Sequence, residues 1–163
     1  TIKKGRRVEV AERFTKDGHD LGIAIHGTFI VGLPGETKET IQETIAFAKR
    51  INPHTIQCSL AAPYPGTFLY KQAVENGWLD VENAELVDEN GVQIAPLHYP
   101  HLSHAEIFAA VEEFYKKFYF RVPKIASIVN EMVRSPDMMK RRLREGVEFY
   151  RFLKERQGTA KAA

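Results

Sequence analysis

Residues 29 to 37 read FIVGLPGET, and this stretch decides the fold. Three apolar residues lead directly into a glycine-proline-glycine turn, after which an acid and a threonine open a helical pattern. Upstream, residues 21 to 31 are nearly continuous in apolarity, which is typical of a parallel strand covered on both faces. Downstream, residues 37 to 50 have the apolar spacing of an amphipathic helix with Thr37 as its N-cap. The stretch therefore predicts a strand, a tight turn and a helix.

The same pattern is repeated about thirty residues later. Residues 55 to 62 predict a second strand, and PYPGT at 63 to 67 repeats the proline and glycine turn before a short helix. Two strands joined by a helix of this length imply a right-handed parallel crossover. We therefore expect residues 1 to 80 to form βα units of a larger α/β sheet or barrel, because two parallel strands cannot cover themselves.

The strand-turn-helix pattern of the sequence ends near residue 80. An Asn-Gly pair between two short apolar runs predicts a hairpin and linker over residues 81 to 102. Residues 103 to 157 predict a helical region, with the last helix ending near Glu155, and residues 158 to 163 are expected to be a frayed tail. The helix starts are predicted at Ser103, where Glu106 completes a capping box, and near Pro123 and Pro136.

Composition limits the class of protein. The chain has 163 residues, of which 44% are hydrophobic, so it can bury a core. It contains neither an apolar run long enough for a membrane helix nor the apolar stretch of a signal peptide. We therefore expect a soluble, cytoplasmic protein without a transmembrane segment.

Charge is distributed unevenly along the chain. Residues 116 to 156 carry twelve Lys and Arg against five Asp and Glu, whereas the whole chain has a net charge of only +2. The basic residues are spread along helices and are not clustered with exposed aromatic residues, so solvated helix faces are favoured over a nucleic-acid site. An acidic partner of the basic C-terminal face stays open as an alternative.

The turn at residues 32 to 37 is not a nucleotide-phosphate loop. A strand, a glycine-rich turn and a helix N-terminus can bind an anion. The P-loop needs a lysine followed by Ser or Thr, however, and Glu36 and Thr37 occupy those places. The glycine spacing of the dinucleotide fingerprint is also absent. Two adjacent turns of this apolar kind favour a flat organic group such as adenine.

GTFIVGLPGETKETI, PYPGTFLY and FYKKFYFRVPKI together resemble the C-terminal half of radical S-adenosylmethionine enzymes. Within that family the chain is similar to the subgroup with an N-terminal cobalamin domain, which includes Mg-protoporphyrin IX monomethyl ester oxidative cyclases and hopanoid-associated members. The resemblance implies the C-terminal part of a partial (β/α)6 radical SAM barrel, followed by a mainly helical C-terminal region. Residues 21 to 31 would be its fifth strand and residues 55 to 62 its sixth.

The resemblance also implies cofactors and the residues near them. The parent enzyme would use S-adenosylmethionine and a [4Fe-4S] cluster and, in this subgroup, cobalamin. From its position on the first strand, and not from the resemblance, His26 is a tentative substrate contact, although a hydrogen-bonded core histidine is favoured. The residues expected beside S-adenosylmethionine are Ile30, Val31, Gly32, Pro34 and Glu36 in the first turn, and Ala62, Pro63 and Tyr64 in the second.

The cluster ligands of the family are missing from this sequence. The family holds its cluster with three cysteines in the pattern CxxxCxxC, whereas this chain has one cysteine, Cys58. We therefore expect the cluster to be held by a missing N-terminal half of the parent chain, and this chain alone to be inactive. Cys58 itself is interpreted as a small buried hydrophobic residue.

Three histidines with the pattern HxxHxxH invite a metal interpretation. They are His98, His101 and His104. Pro100 and the helix start at Ser103 interrupt the geometry, and no acid or cysteine occupies a convincing ligand position nearby. Surface or capping roles are therefore favoured over a metal site.

The function predicted from the resemblance is radical hydrogen abstraction on a lipid or tetrapyrrole substrate. This chain would supply part of the S-adenosylmethionine wall and the substrate cap. Part of a radical SAM methyltransferase is one alternative. A stand-alone helical interaction domain with a basic C-terminal face is another, and it predicts an exposed apolar patch.

Overall fold

A computed structural model of the chain describes residues 8–81 and 96–162. It has mixed α/β structure, with six helices and two strands in the described ranges. None of these helices is long and apolar enough to span a membrane. In chain order the elements are α1 (Val8–Asp20), β1 (His26–Val31), α2 (Lys38–Ile51), β2 (Thr55–Leu60), α3 (Phe68–Glu75), α4 (His104–Tyr119), α5 (Val122–Arg134) and α6 (Pro136–Ala162).

The two strands form a parallel sheet whose register pairs His26 with Thr55 and Val31 with Leu60. This confirms the predicted parallel crossover, with α2 as the connecting helix. The first strand is shorter than the predicted 21 to 31. The first residues of the predicted strand belong instead to the turn that ends α1, where the Ile23 N–H donates to the Gly18 carbonyl. The full barrel remains a prediction, since the described residues contain only these two strands.

One face of the sheet is packed and the other is open. The packed face carries Phe29, Val31, Ile56, Cys58 and Leu60, and it lies in the same core cluster as α4. The opposite face, called the open face below, carries His26, Thr28, Ile30, Thr55, Gln57 and Ser59. The expectation that the first strand is covered on both faces is therefore wrong for this chain, because the described residues provide only one covering layer.

Two helices begin at the predicted caps, and a third has a cap that was not predicted. Thr37 and Thr40 form a capping box at α2, and Ser103 and Glu106 form another at α4. Thr67 caps α3 by accepting the Tyr70 N–H. Each cap satisfies backbone donors that the first turn of a helix leaves without a partner.

Gly18 lies inside α1, and the last helix ends later than predicted. Helix α1 continues to Asp20. A Cβ at Gly18 would lie 2.4 Å from Ile25 Cδ1, so the glycine serves close packing. The last helix runs to Ala162 and not only to Glu155, because no proline interrupts the residues that follow. Most of the predicted hairpin, residues 82 to 95, lies outside the described residues.

The outer edge of β2 is closed by tyrosines of α4. The Ile56 N–H donates to the Tyr119 hydroxyl at 3.1 Å, and the Cys58 N–H donates to the Tyr115 hydroxyl at 3.0 Å. These amides point away from β1, because the amides of Thr55 and Ala61 are the ones that bond to the β1 side. Further strands can therefore join this sheet only at the β1 edge.

Candidate functional site

The two βα turns leave the same edge of the sheet. Val31 and Leu60 are register partners at the ends of their strands, and the Ala61 N–H donates to the Val31 carbonyl at 2.8 Å. Residues 32 to 37 and 61 to 67 then run to the N-caps of α2 and α3. Both turns, with their predicted site residues, therefore lie at the carboxyl edge of the sheet. Parallel α/β folds bind their ligands at this edge.

Glu36 closes the first turn on itself. Its Oε2 accepts the Gly32 N–H at 2.5 Å and the Leu33 N–H at 3.3 Å, while its own N–H donates to the Leu33 carbonyl. A phosphate would need these same backbone donors. The carboxylate already uses them, which agrees with the exclusion of a phosphate loop.

Two side chains from the segment before α4 support this turn. The Tyr99 hydroxyl donates to the Gly32 carbonyl at 2.8 Å, and His101 Nε2 donates to the Glu36 carbonyl at 2.9 Å. The two rings stack with centroids 5.8 Å apart. Sequence reasoning missed the role of Tyr99, since no periodicity links residue 99 to a turn 67 positions earlier.

Burial raises the pKa of two groups at this turn. Burial raises the pKa of Glu36, although the bonds from the Gly32 and Leu33 amides oppose the shift. Burial, and next the neighbouring Glu36, raise the pKa of the Tyr99 hydroxyl. Both groups serve as hydrogen-bonding braces in this geometry.

Gly32 and Gly35 allow the backbone to make the turn. Their φ angles are +86° and +83°, a region that side chains disfavour. A Cβ at Gly32 would also lie 2.8 Å from Ile107 Cγ2, whereas one at Gly35 would meet nothing within 4 Å. Gly32 is therefore required for packing against α4 as well as for the turn.

The eight predicted site residues differ in what they present to a ligand. Solvent reaches the side chains of Ile30 and Tyr64, which are 41% and 58% exposed. Half-buried side chains are those of Pro34, Glu36 and Ala62, and the buried positions are Val31, Gly32 and Pro63. Only the first two offer open apolar surface, and both lie at the carboxyl edge of the strands.

His26 lies at the opposite end of β1. A strand of six residues separates it from the turns by about 16 Å. It is exposed, and its Nδ1 lies 2.7 Å from Thr55 Oγ1. The favoured expectation of a core histidine is therefore wrong, whereas a contact with substrate along the open face stays a prediction.

The HxxHxxH histidines do not converge. The rings of His98 and His104 lie 4.9 Å apart, but His101 turns away to Glu36 and Tyr99. Across residues 8–81 and 96–162, no group of three or more His, Cys, Asp or Glu side chains is placed to hold a metal ion. Cys58 is 6% exposed within the core cluster, which confirms its interpretation as a buried hydrophobic residue.

A groove of about 440 Å³ lies elsewhere, between α1 and the end of α2. Its charged side chains bond to one another: Arg50 to Glu12 at 2.6 Å and Lys16 to Asp20 at 2.7 Å. The lysine and the arginine that line this groove are therefore both ion-paired.

Comparison with known proteins points in the same direction as the motifs. The chain is 32% identical over 125 residues to an uncharacterized methyltransferase of Pyrococcus horikoshii, covering 76% of this chain and 26% of that protein. It is 32% identical over 87 residues to a probable threonylcarbamoyladenosine tRNA methylthiotransferase of the same organism, covering 53% and 20%. It is also 32% identical over 71 residues to the anaerobic magnesium-protoporphyrin IX monomethyl ester cyclase of Rubrivivax gelatinosus, covering 44% and 13%.

The chain spans about a quarter or less of the length of these relatives. No family model and no solved structure matches it. The relatives are enzymes whose names include methyl transfer, methylthio transfer and a cyclase reaction. These similarities support the radical S-adenosylmethionine family for the chain and do not distinguish among its subgroups.

Proposed function

We propose that residues 26 to 67 form part of the wall that contacts the adenosyl group of S-adenosylmethionine in a radical enzyme. One observation carries the proposal: two βα turns leave the same edge of a parallel sheet, and the first is braced by Glu36 and Tyr99. A braced turn keeps neighbouring contact groups in place before the ligand arrives.

Adenine suits the surface beside these turns. Ile30 ends the open face with an exposed aliphatic side chain, and Tyr64 offers an exposed aromatic ring after β2. A flat heteroaromatic base can pack on an aliphatic group and stack on an aromatic ring. We assign Ile30 and Tyr64 to direct contact, Pro34 and Ala62 to the floor between them, and Glu36 to positioning.

The [4Fe-4S] cluster does not suit the residues of this chain. Cys58 is buried on the packed face, and one thiolate cannot hold such a cluster. We therefore assign no step of the chemistry to residues described here. In the proposed enzyme the cluster ligands come from another part of the polypeptide, and cobalamin would be held outside these residues.

Two reactions are candidates for the whole enzyme. The cyclase relative favours a tetrapyrrole substrate. For such a substrate, or for a lipid, we propose radical hydrogen abstraction with the open face and His26 toward the substrate. The methyltransferase relative, which covers more of this chain, favours transfer of a methyl group. Methyl transfer from S-adenosylmethionine releases S-adenosylhomocysteine, so detection of that product would favour the second candidate.

Titration of the isotope-labelled chain with S-adenosylmethionine tests the proposed wall by NMR. We expect shifts at the amides of residues 30 to 36 and 61 to 64. Tyr64→Ala and Ile30→Asp should each weaken binding by roughly tenfold, a loss of about 1.4 kcal/mol. Phe68→Ala is the matched control, since Phe68 is 77% exposed on α3 beyond the second turn. Equal loss in the control, or shifts confined to the groove near Arg50, would refute the assignment.

A further inference from the structure

Helix α1 is held to the sheet by a small contact at the amino end of the strands. Only Thr15 and Gly18 of this helix are buried. The side chain of Ile25, just before β1, packs against Gly18, where an added Cβ would lie 2.4 Å from Ile25 Cδ1. Because so little of α1 is buried, its docking depends strongly on where Ile25 is held.

His54 binds both backbone groups of Ile25. The Ile25 N–H donates to His54 Nδ1 at 2.9 Å, and the His54 N–H donates to the Ile25 carbonyl at 2.8 Å. A backbone amide can only donate, so Nδ1 has to be the unprotonated nitrogen of the ring. The contact therefore requires the neutral form of His54, with its proton on Nε2.

Positive charge lies around the half-buried ring of His54. The ring of His19 on α1 stacks on it with centroids 4.9 Å apart. Lys124 of α5 and Arg142 of α6 also act on it, whereas Glu131 of α5 opposes them and is itself paired with Arg142 at 2.5 Å. Burial first, and then His19 and Lys124, lower the pKa of His54. The surroundings therefore favour the same neutral form that the Ile25 contact requires.

A second proton on His54 would remove the acceptor of the Ile25 amide. The imidazolium ion carries N–H on both ring nitrogens, so the Nδ1–H would meet the Ile25 N–H donor to donor. Either the ring turns away or Ile25 moves, and both movements end the bond. Histidine has an ordinary pKa near neutrality, so mild acid can produce this change.

We propose that His54 is a pH-sensitive switch: its neutral ring fixes Ile25 against Gly18, and its protonation in mild acid releases α1 from the sheet. The stability that the contact contributes is fully present above the unfolded pKa of 6.5 and is lost as pH falls through the lower folded pKa. The switch is independent of the proposed S-adenosylmethionine wall, since His54 precedes β2 and both βα turns follow the other ends of the strands.

Hydrogen exchange of the whole isotope-labelled chain, followed by NMR between about pH 7.5 and pH 5, tests the switch. Protection of the Ile25 amide, and of the amides of residues 15 to 20 in α1, is expressed relative to the Ala61 amide. That amide bonds to the Val31 carbonyl at the other end of the strands and serves as the internal reference. We expect both relative protections to fall by roughly tenfold on acidification.

Three histidine variants separate the switch from other titrations. His54→Asn should remove the pH dependence, because its side-chain oxygen can accept the Ile25 amide but does not titrate. His26→Asn is the matched control: His26 follows Ile25 in the chain but contacts Thr55 on the open face, so the full change should remain. His19→Gln should move the midpoint to higher pH, since it removes a like charge beside the His54 ring.

The His54 ring gives a second measurement that needs no variant. Long-range proton–nitrogen spectra at neutral pH should show Nδ1 without a proton, and a proton on Nδ1 would overturn the proposal. Three exchange results would also overturn it. They are pH dependence that persists in His54→Asn, pH dependence that disappears in His26→Asn, and a change at Ile25 that leaves the protection of α1 as it was.

Discussion

At the scale of single residues, the candidate site is a turn that satisfies its own backbone. Glu36 occupies the amides that an anion would need, and Tyr99 binds the carbonyl on the other side of Gly32. A buried backbone group without a partner costs about 1–3 kcal/mol, so these bonds explain how an irregular turn can be rigid. In the proposed wall, the ligand contacts are made by Ile30, before this turn, and by Tyr64, in the second turn.

Alanine at Gly32 should destabilise the fold more than alanine at Gly35. Both positions have positive φ, which costs about 1 kcal/mol for alanine, but only Gly32 has Ile107 within 2.8 Å of the added Cβ. We expect Gly32→Ala to lower the free energy of unfolding by about 1–3 kcal/mol more than Gly35→Ala. Urea denaturation of both variants measures the difference, and equal losses would mean that the Ile107 contact relaxes without cost.

The stability contributed by Glu36 should depend on pH. Its pKa is raised in the folded chain, so folding favours the protonated carboxyl. That contribution is fully present below the unfolded pKa of 4.5 and is lost as pH rises through the folded pKa. We expect the stability advantage of the native chain over Glu36→Gln to be larger at pH 4 than at pH 7, measured by urea denaturation. An advantage that grows with pH would show that the Gly32 and Leu33 amides outweigh burial.

Sequence patterns could predict these residues only in part. The glycines and Glu36 follow directly from the local strand-turn-helix pattern. Tyr99 and His101 could not be assigned to the turn, because their contacts span more than sixty residues and depend on how the segment before α4 packs. The same packing separates His101 from His98 and His104, which the sequence presents as one motif.

At the scale of elements, α4 determines how the sheet can grow. Tyr115 and Tyr119 accept amides on the outer edge of β2, so a helix replaces the next strand there. The β1 edge has no such cover among the described residues. Any further strand of a barrel must therefore pair with β1.

Loss of one tyrosine hydroxyl should open the β2 edge locally. Tyr119→Phe removes the acceptor of the Ile56 amide, and Ile56 is only 5% exposed. We expect a loss of about 1–3 kcal/mol in stability and faster hydrogen exchange at Ile56. The Ala61 amide, bonded to Val31, is the internal control. Unchanged exchange at Ile56 relative to Ala61 would contradict a protective role for Tyr119.

Element identities were largely predictable, whereas burial was not. Caps at Thr37 and Ser103 and the parallel crossover follow from short-range patterns. The apolar strand pattern predicted cover on both faces, yet one face is open, because cover depends on residues beyond the two strands. Helix α1 leaves Phe14 65% exposed, since it packs through the small residue Gly18.

At the scale of the whole molecule, two exposed surfaces lie on different elements. The open face and the β1 edge belong to the sheet, whereas exposed apolar side chains such as Val129 and Leu143 lie on α5 and α6. The first surface suits the incomplete wall of a barrel. Variants at Val129 or Leu143 do not alter the residues of the proposed wall, so they serve as controls for ligand binding.

Photolabelling with an 8-azidoadenosyl analogue of S-adenosylmethionine tests the central claim most directly. The whole chain is illuminated with the analogue, digested, and its labelled peptides are identified by mass spectrometry. Our account predicts label within residues 30 to 36 and 61 to 64, reduced by excess S-adenosylmethionine and by Tyr64→Ala. Label that is confined to the α1–α2 groove or to α5 and α6, or that unlabelled cofactor does not reduce, would contradict it.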